Sequence, residues 1–174
     1  MSNCEATPSP LTHFDAQGRA CMVNVSGKSE TPRRAVARGV MQISQQLVNL
    51  LQQGGLKKGD AFSVAKVAGI LAAKRTGELI PMCHPLGLDH VSVDLTLDAA
   101  AGRVYLEASA STRARTGVEM EALTALSIAA LTFYDMVKAV DKGVVIQKLG
   151  LYQKEGGKSG LYQNPAFEWS ALQQ

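Results

Sequence analysis

Two carboxylates and an amine recur along one helical direction in residues 116–140, TGVEMEALTALSIAALTFYDMVKAV. At helical pitch Glu121, Ile128 and Asp135 fall within about 40° of one another, and Lys138 lies about 60° from Asp135. On a solvated face an ion pair at i, i+3 contributes little. Here the flanking residues are Ala, Leu, Ile, Phe and Met, so Asp135 and Lys138 are expected to be partly desolvated. Charges held out of water are costly unless they are paired or used. A lysine with an altered pKa beside a carboxylate is a proton-transfer couple. The second reactive stretch is LIPMCHP, residues 79–85. Pro81 and Pro85 restrict the backbone and are expected to hold Met82, Cys83 and His84 in a fixed extended presentation. His84 reads as a general acid/base or ligand contact, against the alternative of a hydrogen-bonded structural histidine. Cys83 as a nucleophile beside His84 is disfavoured, because neighbours in an extended segment point apart.

Cations recur at the junctions: Arg33, Lys58, Lys74, Arg75, Lys138, Lys154 and Lys158. Singly, each reads as a surface charge. Together with intervening glycines they suit an anionic small molecule such as a polyphosphate. No basic stripe interleaved with aromatic rings is present, which disfavours nucleic acid. Arg33 and Arg34 fall in the first turn of an expected helix, where the dipole disfavours cations unless an anion is near. Gly156-Gly157-Lys158-Ser159-Gly160 imitates a phosphate loop. The full motif needs a glycine where Tyr152 stands and a helix directly afterwards, so nucleotide hydrolysis is disfavoured. A loop closing Lys154 and Lys158 over an anion stands beside a plain surface loop. Cys83, His84, His90, Cys21 and His13 lack paired ligand spacing, so no metal site is expected.

The 174 residues and net charge of +3 suit one domain and no general nucleic-acid binder. Cys4, Cys21 and Cys83 are odd in number and show no CxxC, which implies free thiols in a reducing compartment. No apolar run is expected to span a membrane, and MSNCEATPSP lacks the regions of a signal peptide, so a cytoplasmic location is expected.

Positioning the reactive groups requires a mixed fold. Residues 1–10 are expected as a disordered tail, 11–160 as the domain and 161–174 as a loose C-terminal tail. A short strand is expected at 20–25. Thr31-Pro32 reads as the cap and first turn of a helix ending at Gly54-Gly55, with Val36, Val40, Ile43, Leu47 and Leu50 at helical steps. Asp60 caps a second helix, 61–73, apolar nearly all round. Its stripe of Ala61, Ala65, Gly69 and Ala73 admits another backbone, in the same subunit or across an oligomer. A helix apolar on every side favours an oligomer. Residues 91–97 and 104–110 alternate as a hairpin with one covered face. The long helix follows, with Thr116 as cap, Glu119 and Glu121 in its first turn, and Leu123, Leu126, Ala130 and Phe133 toward the core. A last strand starts at Val144-Val145-Ile146, and 152–160 is a Gly- and Lys-rich loop. This order is α+β and ferredoxin-like: an antiparallel four-stranded sheet, helices packed on one face, and an extra N-terminal helix.

The strings LTHFDAQGRACMVNVSGKSETPR, KGDAFSVAKVAGILAAKRTGELIPMCHPL, TGVEMEALTALSIAALTFYDMVKAV and GGKSG together resemble the cyclic pyranopterin monophosphate synthase family of molybdenum cofactor biosynthesis. The resemblance covers about Leu11 to Gly160. It implies a homohexamer built as a trimer of dimers, with active sites near subunit interfaces. The implied substrate is a guanosine triphosphate cyclised between ribose C3′ and base C8; the product is cyclic pyranopterin monophosphate, with pyrophosphate released. By the same resemblance Asp135 and Lys138 are the central catalytic pair. Met82, Cys83, His84, Glu119, Met120 and Glu121 line the substrate, and Lys58, Arg33 and Lys154 match its cationic positions. No cofactor or resident metal is required, Mg2+ being compatible with the triphosphate. Two positions depart from the family: Asn24 stands where V-D-V-S has a carboxylate, and Gly77 where a bulkier residue is common. The rival reading is a non-catalytic oligomeric module that senses a nucleotide, and it predicts binding without pyrophosphate release.

Overall fold

Strict alternation in 91–110 implied a hairpin, and the computed structural model, which describes residues 13–14, 17–54 and 60–173, places it as β2 (His90–Asp98) and β3 (Arg103–Ala114). These two pair antiparallel in continuous register from His90↔Ser111 to Asp98↔Arg103. Around them the order is β1 (Thr31–Gln42), α1 (Gln45–Gln52), α2 (Ala61–Ala73), α3 (Thr76–Leu79), then β2 and β3, α4 (Glu119–Val137), β4 (Val145–Glu155), β5 (Tyr162–Gln163) and α5 (Trp169–Leu172). The sheet runs β2-β3-β1-β4-β5 with every neighbouring pair antiparallel. The class is α+β, with five strands in place of the four expected.

The segment 31–42 is a strand and not the start of a helix. As the central strand it pairs with both β3 and β4 and is covered on both faces. Ala35, Ala37 and Met41 face the helices, while Val40 faces the opposite layer. Burial on both faces erases the polar/apolar alternation that identifies a half-buried strand, and the spacing of Val36 and Val40 then imitates a helix. The helix proper begins after Ser44, whose Oγ accepts from Leu47 N at 3.3 Å. Residues 20–25 form no strand; only Ala20 bridges, to Phe14.

Asp60 caps α2 as the sequence implies, its Oδ1 accepting from Phe62 N at 3.0 Å and Ser63 N at 3.2 Å. The small-residue stripe lies against α4 within the subunit. A Cβ on Gly69 would stand 2.7 Å from the Ala125 carbonyl oxygen and 3.2 Å from Ala129 Cβ. The other side of α2 leaves Val64, Val67 and Leu71 exposed. Leu126, Ala130 and Phe133 of α4 are buried, and the Phe62 and Phe133 rings meet at 5.4 Å. Val118 precedes α4 without a side-chain cap bond, so Thr116 is not its cap. By length and apolar composition alone, α4 is long and apolar enough to cross a membrane, contrary to expectation. Half of it is buried in the subunit, as in the core helix of a globular domain.

The C-terminal segment is not loose. Leu172 is buried, and with Phe167 and Trp169 it covers Val40 and Tyr105 on the sheet face away from α2 and α4. Arg38 rises from β1 into this layer. Its guanidinium lies 3.6 Å from the Tyr152 ring centroid and 4.3 Å from that of Trp169, and Nε donates to Glu107 at 2.7 Å. Helical and C-terminal layers thus sandwich the sheet, where helices on one face alone were expected. Cys21 is disulfide-bonded and Cys83 is a free thiol. Three cysteines allow one bridge plus one thiol, and a single bridge needs no motif spacing, so the expectation of free thiols fails for Cys21.

Candidate functional site

The Pro-flanked stretch is a turn where an extended run was expected. Cys83 N donates to Ile80 O at 3.0 Å, which puts Pro81 at the second position of the turn, where its fixed φ is favoured. Gly77 in α3 packs on Pro85: an added Cβ would meet Pro85 Cα at 3.1 Å. The turn delivers Met82, Cys83 and His84 to a cavity of about 260 Å³, which the start of α4 closes with Glu119, Met120 and Glu121. All six side chains assigned there by sequence therefore share one cavity. His13, Lys28, Thr116 and Gly117 also line it. Lys28 and Gly117 were not singled out by sequence: neither stands in a pattern that separates it from an ordinary loop lysine or glycine.

Each reactive group has a definable state. His84 Nε2 lies 2.9 Å from the Val23 carbonyl oxygen. A carbonyl can only accept, so Nε2 carries the proton, and in the neutral ring Nδ1 is left as the acceptor. Glu121 is 4% exposed; burial raises its pKa, and the nearby Glu119 charge adds to the rise. Burial also pushes the Cys83 thiol up, with Glu121 contributing. Cys83 is therefore a thiol at neutral pH, and the thiolate a nucleophile requires is disfavoured. Asn24 Oδ1 accepts from Ser26 N at 2.9 Å, a local turn contact.

The cations divide between places. Lys154 Nζ on β4 stands 3.6 Å from Glu119 Oε1, beside the cavity. Arg33 lines a separate cleft of about 670 Å³ with Arg34, Arg113, Gly156 and Gly157. Its Nε donates to Ala114 O at 3.3 Å. Gly156 and Gly157 take φ of +101° and +68°, and Cβ atoms there would collide with Pro32 O and the Arg33 guanidinium. Residues 152–155 belong to β4, so only the glycine turn of the expected loop remains. Arg113 escaped sequence reasoning because, in an alternating strand, an exposed Arg looks like any solvent-facing residue. Lys58 lies outside the described residues. Among the described residues no group of three or more His, Cys, Asp or Glu side chains gathers as metal ligands.

Asp135 and Lys138 do not join this cavity within the subunit. Lys138 Nζ meets Asp135 Oδ1 at 2.6 Å, but the side chains are 50% and 59% exposed respectively, not desolvated as expected. The Asp135 hydrogen bond and charge raise the Lys138 pKa, opposite to the fall that burial would produce. Sixteen residues of α4 separate Glu119 from Asp135, about 24 Å at 1.5 Å per residue. Leu131, 55% exposed, lies on the same stripe as Asp135 and Lys138, at i+4 and i+7.

Comparison with known proteins places these observations. Residues 22–157 match the model of the MoaC family. A cyclic pyranopterin monophosphate synthase of Cereibacter sphaeroides is 54% identical over 91% of this chain and 99% of its own length. Proteins of the same name from Rhodospirillum rubrum and Chloroflexus aurantiacus are each 54% identical, over 90% and 89% of this chain and 95% of their own lengths.

Proposed function

The chain belongs to the MoaC family, and on that premise we propose that it is a cyclic pyranopterin monophosphate synthase of molybdenum cofactor biosynthesis. It takes a 3′,8-cyclised guanosine triphosphate, rearranges the rings by proton transfer, closes a cyclic phosphate and releases pyrophosphate. The sheet order is read as ferredoxin-like with an added edge strand. Opening the purine-derived ring and closing the pyrazine move protons on nitrogen and oxygen. Glu121, held toward its neutral form, is a proton donor, and His84 Nδ1 is an acceptor. Closing the cyclic phosphate needs a deprotonated sugar hydroxyl and a neutralised pyrophosphate. Lys58, Lys154 beside the cavity and Arg33 from its separate cleft hold the phosphates, and any Mg2+ arrives as a counter-ion of the triphosphate.

One observation carries the architecture of this site: the acid–amine pair sits about 21 Å down α4 from Glu121, the nearest α4 residue lining the cavity, too far for both to grip one nucleotide in one subunit. The site is therefore shared. The Asp135–Lys138 end of one copy completes the cavity of another, in a homohexamer arranged as a trimer of dimers. Exposed Leu131 on the same stripe, and Val64, Val67 and Leu71 on α2, supply apolar surface for such contacts. Covering Lys138 with a second subunit removes water from it, which opposes the rise in its pKa that Asp135 causes and eases proton transfer within the pair.

Incubation with the cyclised triphosphate tests the reaction. One pyrophosphate per fluorescent pterin after oxidation is expected; saturable binding of guanine nucleotide without pyrophosphate supports the sensing module instead.

A further inference from the structure

Gly117 stands two residues before the first residue of α4, and the space its side chain would fill is already occupied. A Cβ built there would lie 2.6 Å from Glu119 Cδ and 2.7 Å from Oε1, with Oε2 closer still. The three nearest atoms all belong to the Glu119 carboxyl group. Gly117 does not take a positive φ, so its φ is open to L-residues. The glycine leaves room for the Glu119 carboxylate, and its φ does not call for a glycine.

That room has a consequence for the site. Glu119 is the first residue of α4 and its carboxylate folds back over Gly117, where Oε1 meets Lys154 Nζ at 3.6 Å. Lys154 comes from β4, directly before the glycine turn, so the pair ties the start of the helix to the end of the strand beside the cavity. The two side chains are 29% and 26% exposed, partly sheltered from the water that weakens surface pairs. The same carboxylate is close enough to Glu121 to help raise its pKa.

We propose that Gly117 is a positioning residue: by carrying no side chain it seats the Glu119 carboxylate against Lys154 and so fixes a cation beside the cavity. The proposal rests on the synthase reading for its effect on turnover, but not for its effect on geometry. A methyl group at 117 meets only the mobile end of a glutamate, which can swing aside. Gly117→Ala therefore folds normally while Glu119 leaves Lys154.

The test is a double-mutant cycle with a structural readout. Pyrophosphate release from the cyclised triphosphate is compared in wild type, Gly117→Ala, Glu119→Ala and the double variant, with melting temperatures measured alongside. Gly117→Ala is expected to lower kcat/KM by roughly tenfold to a hundredfold, the scale of a small misplacement in a catalytic site, with the melting temperature kept. In the Glu119→Ala background, where no carboxylate can be displaced, the same substitution should change nothing further. A crystal structure of Gly117→Ala should show Glu119 out of ion-pair reach of Lys154. Unchanged turnover, an equal loss in the Glu119→Ala background, failure to fold, or an undisturbed Glu119–Lys154 pair would each overturn the proposal. If wild type itself releases no pyrophosphate, the synthase reading fails, and the crystal structure still decides the role of Gly117.

Discussion

Replacing Glu121 by Gln should make the protein more stable and less active. Glu121 is 4% exposed, and its pKa is raised above 4.5 by burial and then by the Glu119 charge. A carboxyl group whose folded pKa exceeds its unfolded value binds its proton more tightly when folded. Its contribution is fully present below the unfolded value and is lost as pH rises through the folded one. At pH 7 folding therefore costs the wild type either proton uptake or charge burial at Glu121, and Gln removes that cost at nearly constant shape. Relief of a buried, poorly solvated polar group amounts to about 1–3 kcal/mol. For a chain of this size that corresponds to a rise in melting temperature of roughly 2–12 °C. Thermal melts at pH 7.5 should show the gain, and melts near pH 3, below both the folded and unfolded values, should show it shrink. Since Glu121 also raises the Cys83 thiol pKa, Cys83 should alkylate faster in Glu121→Gln at pH 7.5. A variant no more stable than wild type at pH 7.5, or a gain that does not shrink in acid, would refute the reasoning.

Two further outcomes follow from the geometry. Lys138→Ala should lower pyrophosphate release roughly 10²–10⁴-fold, the span of one lost acid/base group, while circular dichroism shows an unchanged fold because Lys138 is half-exposed in the subunit. Arg38→Lys keeps the charge but loses the planar stack between Tyr152 and Trp169, a change of about 1–2 kcal/mol. Trp169 is the one tryptophan of the chain, so its fluorescence should report earlier release of the C-terminal segment in urea, with the rest of the fold unfolding later.

Legibility tracked how much contrast each element carried in its sequence. β2 and β3 alternate polar and apolar residues, and Asp60 pairs a capping side chain with an apolar run, so both were readable. β1 was not, because its neighbours on both faces bury it and leave Ala, Val, Arg and Met in an order that suits a helix equally well. The C-terminal segment was unreadable for another reason. Its anchors Phe167, Trp169 and Leu172 are too few and too widely spaced to show a period. Met82 to His84 and Glu119 to Glu121, to which the prolines and the motif strings pointed, line one cavity. Burial of Asp135 and Lys138 could not be inferred from their flanks, since a helix apolar on every side does not reveal which stripe faces inward.

The shared site is tested most directly by mixing two inactive variants. Lys138→Ala and His84→Ala chains are unfolded together, refolded at equal concentration and assayed for pyrophosphate release. If each site takes Lys138 from one copy and His84 from another, about a quarter of the sites in a random mixture draw both intact groups, and about a quarter of wild-type turnover returns. No recovery in a mixture shown to be co-assembled would place both groups in the same chain and contradict the account.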